Sequence, residues 1–445
     1  MATQRSSTRS YLHLAGRLVS IVGLVLVLEG PARAENPQVF RPTAELGLDD
    51  LQRIVDAGAA PLEAATLEVE LARADVRQAK LLPDPVLDLG YGTIPIGATN
   101  PRDLRRPLAS VPNYGVGLSF TVPAGRRRPA VRRAQALVRA HDAERDALRR
   151  DLALSLAGVL GELATASVRL DGLAQLRESS VRQVEAARRR VELSFGIGLD
   201  LERLRLDLSR TDRLLLAAQA QLADARARCA HHIGRPCEGF DDGAQARAYL
   251  ERWIAAPAPT LDQLPARPDL RALSAYADAA RAAERLARRR RIPEPTLRLG
   301  YLHDRFVIAG NQRNSLGISL SFALPLFDRR QVQRDAATAA IHRTERERER
   351  RIATAEAERP ALLERIRNER ERGVRLRSEA LVSAREIVAQ LELAVDKRMT
   401  PMQDLLSARR VLQELVLEEA EAYADAYDAQ LALLRVSPPP IGAKP

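Results

Sequence analysis

The sequence is poor in the groups that most often carry chemistry. Its 445 residues include two Cys, three Met, six His and one Trp, and aromatic residues make up only 4%. Three Met are too few to line a copper site. The His are scattered apart from the adjacent His231 and His232, and no Ser-His-Asp order stands out. Gly196 and Gly198 form a lone G-x-G without a phosphate-loop context, which reads as a turn. No catalytic residue, metal site or cofactor is therefore expected, and the chain reads as a non-enzyme. Both Cys fall in "CAHHIGRPC", whose C-x-H-H-x4-C spacing fits no zinc pattern. Cys229 and Cys237 are left as a local disulfide or as idle thiols.

Long apolar runs are missing too. Arg5, Arg9 and Arg17 precede the run "LVSIVGLVLVL", and small residues follow at Ala32 and Ala34. That order predicts a signal peptide over residues 1–34, cleaved after Ala34. The apolar run, about 11 residues, is too short to cross a hydrocarbon layer of about 30 Å as a helix. No later stretch reads as a membrane helix of ~20 residues, so any crossing must be made by strands. A formal charge of +11 would suit nucleic acid. Export from the cytoplasm removes that partner.

What is abundant is Ala, Leu, Arg and Glu, with 29% of residues charged, a profile of long helices. The chain also repeats itself. "LPDPVLDLGYG" begins at Leu82, and "IPEPTLRLGYL" begins at Ile292. Each is a Pro-acid-Pro break followed by a short alternating run, and a duplicated break implies a duplicated architecture.

In the first copy a helical pattern over 61–82 stops at Pro83. Leu87, Leu89 and Tyr91 then alternate with Asp88 and Gly90. Further on, Val116, Leu118, Phe120 and Val122 alternate with Gly115, Gly117, Ser119 and Thr121. Such alternation is strand periodicity and predicts a β-hairpin at about 84–123. The second copy has a helix from Arg267 to Pro293 and a hairpin at about 294–325. There Leu297, Leu299, Tyr301, Ile318, Leu320, Phe322 and Leu324 oppose Thr296, Arg298, Gly317, Ser319 and Ser321.

Long helices follow at about 126–195 and 328–397, each roughly 70 residues or about 105 Å. They end in "FGIGLDLERL", where Asp200 is expected to cap the next helix, and in "DKRMTPMQDLL", where Thr400 is expected to cap and Pro401 to open the helix. Return helices are predicted at about 200–234 and 401–436. The chain then divides into a first repeat (35–234), an equatorial linker (235–266), a second repeat (267–436) and a flexible tail (437–445). The first return helix and the helix before Pro293 together span about 85 Å, enough to lie end to end along one long helix with the linker as a belt.

These segments resemble the TolC-like outer-membrane channels of bacterial efflux pumps. The resemblance is carried by "RPDLRALSAYADAARAAERLARRRRIPEPTLRLGY", "GISLSFALPLFDRR" and their first-half partners, and by "LDLERLRLDLSRTDRLL" with its counterpart "TPMQDLLSARRVLQEL". It implies an α+β membrane protein, internally duplicated, whose four strands per chain join a trimeric twelve-stranded β-barrel continued by a long α-helical barrel in the periplasm. The implied partners are two sister copies, a periplasmic adaptor, an inner-membrane transporter and outer-membrane lipid. Asp88, Ser119, Thr121, Arg298, Ser319 and Ser321 would line the lumen, with the apolar set facing lipid. Asp200, Glu202, Arg203, Asp396, Lys397 and Arg398 are the candidates for contacts that close the periplasmic tip. The stretch "LPDPVLDLGYGTIPIGATNPRDLRRP" is most similar to members serving heavy-metal efflux pumps.

The Arg clusters fit the same picture. Arg126, Arg127, Arg128, Arg132, Arg133, Arg329 and Arg330 follow strands, and Arg288 to Arg291 precede one. All would sit where cations meet headgroups, although a solvated helix end would look the same. A periplasmic adaptor is the alternative, but it needs one helical hairpin flanked by small all-strand domains. A secreted coiled coil leaves the alternating segments unexplained. A soluble sandwich would also alternate, yet lone hairpins offer no second sheet.

Overall fold

The computed structural model describes residues 39–92, 113–193, 197–304, 312–324, 326–327 and 329–438. The expected signal peptide, most of the tail, Gly196 and much of the stretch similar to metal-pump members lie outside the described residues.

Two short helices come first, α1 (Leu48–Asp56) and α2 (Ala60–Lys80), then strands β1 (Val86–Gly92) and β2 (Asn113–Thr121). Helix α3 (Arg127–Glu192) runs for 66 residues, and α4 (Gly198–Ile233) returns beside it. Next come α5 (Gly243–Ile254), a short 3-10 turn, α6 (Pro268–Arg289), β3 (Thr296–Asp304) and β4 (Asn314–Ser321). A second long column consists of α7 (Gln331–Arg375), a π turn (Leu376–Ala380) and α8 (Leu381–Asp396), and α9 (Met402–Val436) returns along it. This column runs unbroken through Pro360.

Helices α4 and α6 both pack along α3, and α6 and α9 both pack on α7. The columns are held by stripes of Ala and Leu. Ala153, Leu156, Leu160, Leu163 and Ala164 of α3 are fully or almost fully buried, and each CH2 taken from water contributes about 0.8 kcal/mol. One 18-residue window of α3 is long and apolar enough to cross a membrane, contrary to the expectation from sequence. It is 72% buried inside the protein, which marks it as a core helix.

The linker 235–266 is more than a connector. Its helix α5 is capped by Asp242, whose side chain accepts from the Gln245 N–H. It brings Tyr249 and Trp253 into the main core. Tyr249 Oη lies 3.0 Å from Tyr427 Oη, Tyr427 Oη donates to the Ala157 carbonyl (2.8 Å), and Trp253 Nε1 donates to Leu46 O (2.9 Å). The Tyr427 ring fills the space a side chain at Gly161 would need. Cys229 and Cys237 are bonded, with Cα atoms 5.8 Å apart, closing the end of α4 onto the linker.

The start of the expected flexible tail is held rather than loose. Ser437 is fully buried, and its carbonyl accepts from Arg150 Nη2 at 2.7 Å. Both tip caps also differ from expectation. Helix α4 begins at Gly198 behind Ile197, which leaves Asp200 in the first turn, and α9 begins at Met402 behind Pro401. Neither helix has a side-chain cap. Asp200 instead offers its charge to the helix dipole from within the first turn.

Candidate functional site

All four strands join one antiparallel sheet in the order β1-β2-β3-β4. The two hairpins therefore pair with each other through β2 and β3. The outer edges of β1 and β4 pair with nothing among the described residues.

Register sorts the side chains. Asp88 stands opposite Gly117, which stands opposite Gly300, then Gly317; Ser119 stands opposite Arg298, then Ser319; Thr121 stands opposite Thr296, then Ser321. Directly paired residues share a face, so all six lumen candidates lie on one side. They also touch. Ser119 Oγ donates to Asp88 Oδ2 at 2.5 Å, Arg298 Nε lies 3.5 Å from the same oxygen, and the Thr121 and Thr296 hydroxyls meet at 3.2 Å. The Arg298 guanidinium lies over Gly117, where a Cβ would come within 2.9 Å of Nε. Glycine at that rung is what lets an arginine lie flat across the small face.

The other face carries Leu87, Leu89, Val116, Leu299, Ile318 and Leu320, all exposed. Leu316 and Ile318 are 86% and 76% exposed. The described residues contain no second sheet, and no helix covers this face. Among the described residues nothing builds a sandwich core over it. At the end of the sheet away from the helices, Tyr91, Tyr114, His303 and Asn314 form one rung. Tyr114 stacks on His303 with ring centroids 4.6 Å apart, and Asn314 Oδ1 accepts from Tyr301 Oη at 2.8 Å. This aromatic rim was missed in the sequence. Its signal was an aromatic or His at the far end of three strands, a position suited to a membrane interface.

At the opposite end of the helices the two turns meet around a cleft of about 440 Å³, lined by Arg190, Ile197, Asp200, Asp396, Arg398 and Met399, among others. Of the six tip candidates, Asp200, Asp396 and Arg398 line it. Asp396 pairs with Arg190 at 2.6 Å, joining the two long columns. Asp200 pairs with Arg203 (3.4 Å) and Glu202 with Arg205 (2.6 Å), each within one helix turn. Lys397 closes the C-terminus of α8, its N–H donating to Leu393 O. Arg398 adopts a left-handed backbone (φ 58°), which turns the chain toward α9.

A buried charge cluster sits further along the same helices. Arg409 of α9 reaches Asp207 of α4 at 3.5 Å, Glu392 of α8 at 3.9 Å and Ser179 Oγ of α3 at 3.1 Å. Burial pushes the Asp207 and Glu392 carboxyls up, although Arg409 pulls both down, and burial pulls Arg409 down. Glu392 Oε1 is buried without a hydrogen-bond donor. The signal was legible: Arg409 falls on the buried stripe of Leu405, Leu412 and Val416, where a charge needs partners.

Residues 56–234 match the family model described as outer membrane efflux protein. No curated protein sequence matches the chain significantly. Among solved structures, the outer-membrane channel OprN superposes with a TM-score of 0.69 at 21% identity, covering 87% of this chain and 89% of that one. The outer membrane protein VceC from Vibrio cholerae gives 0.67 at 17% identity over 87% and 95%. CusC, described in terms of transmembrane channel formation, gives 0.66 at 16% identity over 91% and 99%. The chain thus matches the outer membrane efflux protein family in sequence over residues 56–234, and over nearly its whole length it has the fold of these outer-membrane channels.

Proposed function

We propose that the chain is the outer-membrane channel of a tripartite efflux system, a passive duct through which solutes leave the periplasm or an inner-membrane pump. One observation carries this reading: a four-stranded sheet with two unpaired edges, one exposed apolar face and one face of small and polar residues. In lipid an open edge leaves backbone N–H and C=O groups unsatisfied, at several kcal/mol each. Two further copies remove every edge, and the twelve strands close around a wet lumen lined by the face of Asp88, Ser119, Thr121, Arg298, Ser319 and Ser321.

The helices continue that wall into the periplasm. Their tip, with the Arg190–Asp396 pair, Asp200 and Arg398, is the closed end, opened when a periplasmic adaptor and an inner-membrane transporter engage it. The adaptor reading is weaker, because the described strands form one sheet continuous with two helical hairpins. Heavy-metal cations are the cargo class to test first, on the similarity of residues 82–107 to metal-pump members.

The test is reconstitution. Detergent-purified protein added to a planar bilayer should give large, stable conductance steps, and Asp396→Asn should raise the open fraction. A protein that never conducts would overturn the channel. Separately, a deletion strain should become more sensitive to copper, silver, zinc or cobalt, and unchanged tolerance to all four would remove the metal cargo while leaving the channel intact.

A further inference from the structure

Below the sheet, where the end of α2, the first turns of α3 and the last turn of α6 converge, lies a cleft of about 1100 Å³. Lys80, Arg127, Arg128, Arg132, Arg285 and Arg289 line it, together with Arg288, and no acidic side chain does. Arg288 is neutralised by Glu284 at 2.6 Å. None of the other six has an ion-pair partner among the described residues.

Arginines a few residues away are consumed by structure. Arg126 pairs with Glu294 at 2.7 Å and donates to Ile292 O at 2.6 Å, and Arg291 donates to Arg329 O at 3.1 Å. These bonds tie the bases of the two hairpins together. The Arg clusters of the sequence thus split into a structural set and an uncompensated set, and apart from Arg288 the cleft is lined by the second. Six like charges around one concavity raise a positive potential of several kT, which costs stability unless an anion answers it.

The walls say more about the occupant. Leu82, Pro123 and Val131 line the cleft among the cations. Leu81 and Leu82 stand 70% and 61% exposed beside it. A small inorganic anion uses the charges and wastes the apolar walls. A molecule with a phosphodiester head and an apolar body uses both, and guanidinium groups match phosphate oxygens bidentately. We infer that this cleft is a binding site for an anionic phospholipid, whose phosphate is held by Arg128, Arg132 and Arg289 and whose acyl chain runs past Leu82. The lipid assignment rests on the membrane placement proposed above; the anion preference rests on the cleft alone.

Native mass spectrometry of the detergent-purified full-length protein, with equal amounts of phosphatidylglycerol and phosphatidylethanolamine, tests it. The expected result is preferential retention of phosphatidylglycerol. Arg128→Gln, Arg132→Gln and Arg289→Gln combined should reduce that preference by about 100-fold, each charge near an anionic surface contributing about fivefold. An equal charge change at exposed positions elsewhere (Arg343→Gln, Arg370→Gln, Arg385→Gln) should leave it unchanged. Three results would each overturn the inference: no preference in the wild type, an unchanged preference in the cleft variant, or displacement of the lipid by an equal concentration of inorganic phosphate. Bilayer conductance of the cleft variant keeps the two claims apart. A variant that conducts normally but keeps its lipid preference sinks this site and spares the channel.

Discussion

The equatorial junction and the periplasmic tip both bury arginine against carboxylate, and they do it with opposite quality. At the equator Arg267 grips Asp269 with both Nε (2.6 Å) and Nη2 (2.9 Å), Arg351 adds a third contact at 3.0 Å, and Arg267 also donates to the Val436 carbonyl at 2.8 Å. Burial alone would raise the Asp269 carboxyl, but the bonds from Arg267 and Arg351 win and hold it below its ordinary value. Only Asp151 in that cluster is pushed up, mainly by burial. At the tip one Arg409 serves two carboxylates at 3.5 and 3.9 Å, and burial wins, leaving both raised. The aromatic core repeats the contrast: Tyr249, Trp253 and Tyr427 join the equatorial core, whereas the tip core has no ring. Strongly satisfied charge with aromatic packing makes a clamp. Poorly satisfied charge with aliphatic packing leaves helices that can be shifted at small cost, which suits the opening tip proposed above.

The largest effect that would break this comparison is expected from Tyr427→Ala. It empties the centre of the clamp and strips Tyr249 of a partner, and should cost about 3–5 kcal/mol, read as a fall in melting temperature of the whole chain. If melting were unchanged, the equator would not be the clamp.

Next comes Arg409→Met, expected to cost about 3 kcal/mol by taking the paired cation from buried Asp207 and half-buried Glu392. Its signature is local, seen as faster hydrogen exchange in α4 and α9 near the tip while α5 stays protected. The sign with pH follows from the raised carboxyls. The native state takes up protons before the unfolded one, so the loss is greatest above neutrality and shrinks as pH falls through the raised values. A loss that grew on acidification would contradict the cluster as described.

Asp269→Asn should cost about 2 kcal/mol at neutral pH, the scale of hydrogen bonds to a charged group. Here the sign reverses. A depressed carboxyl contributes its stability above the ordinary carboxylate range, and the wild type loses that contribution as pH falls toward the depressed value. Thermal melts at pH 7 and near pH 3 should therefore converge for wild type and variant. Smallest is Glu202→Gln, whose exposed pair with Arg205 contributes less than about 0.5 kcal/mol, so melting should stay the same within error. A large shift would mean that Glu202 is bound to something other than Arg205.

Sequence reading reached the parts whose signal is local. Alternation over 86–92, 113–121, 296–304 and 314–321 placed Asp88, Ser119 and Arg298 on one face, because a strand's period is the geometry itself. The missed parts depend on encounters between distant residues. Tyr249 and Tyr427 are 178 residues apart, and Arg409 and Asp207 are 202 apart. Nothing in the spacing around Tyr249 announces that 235–266 supplies core rather than a belt. Arg409 could have been flagged as a charge on a buried stripe, but its partners could not. The caps misled for a related reason: Asp200 and Thr400 are good capping residues, yet the helices begin at Gly198 and Met402, where tertiary packing of Leu201 and Met402 sets the boundary.

The central claim is that the open edges of β1 and β4 are closed by sister copies. Native mass spectrometry of the detergent-extracted protein measures this directly. The account predicts the mass of three chains, falling to one chain when Ile318→Pro interrupts the edge strand β4. A wild-type protein of one chain's mass, dissolving freely without detergent, would contradict it.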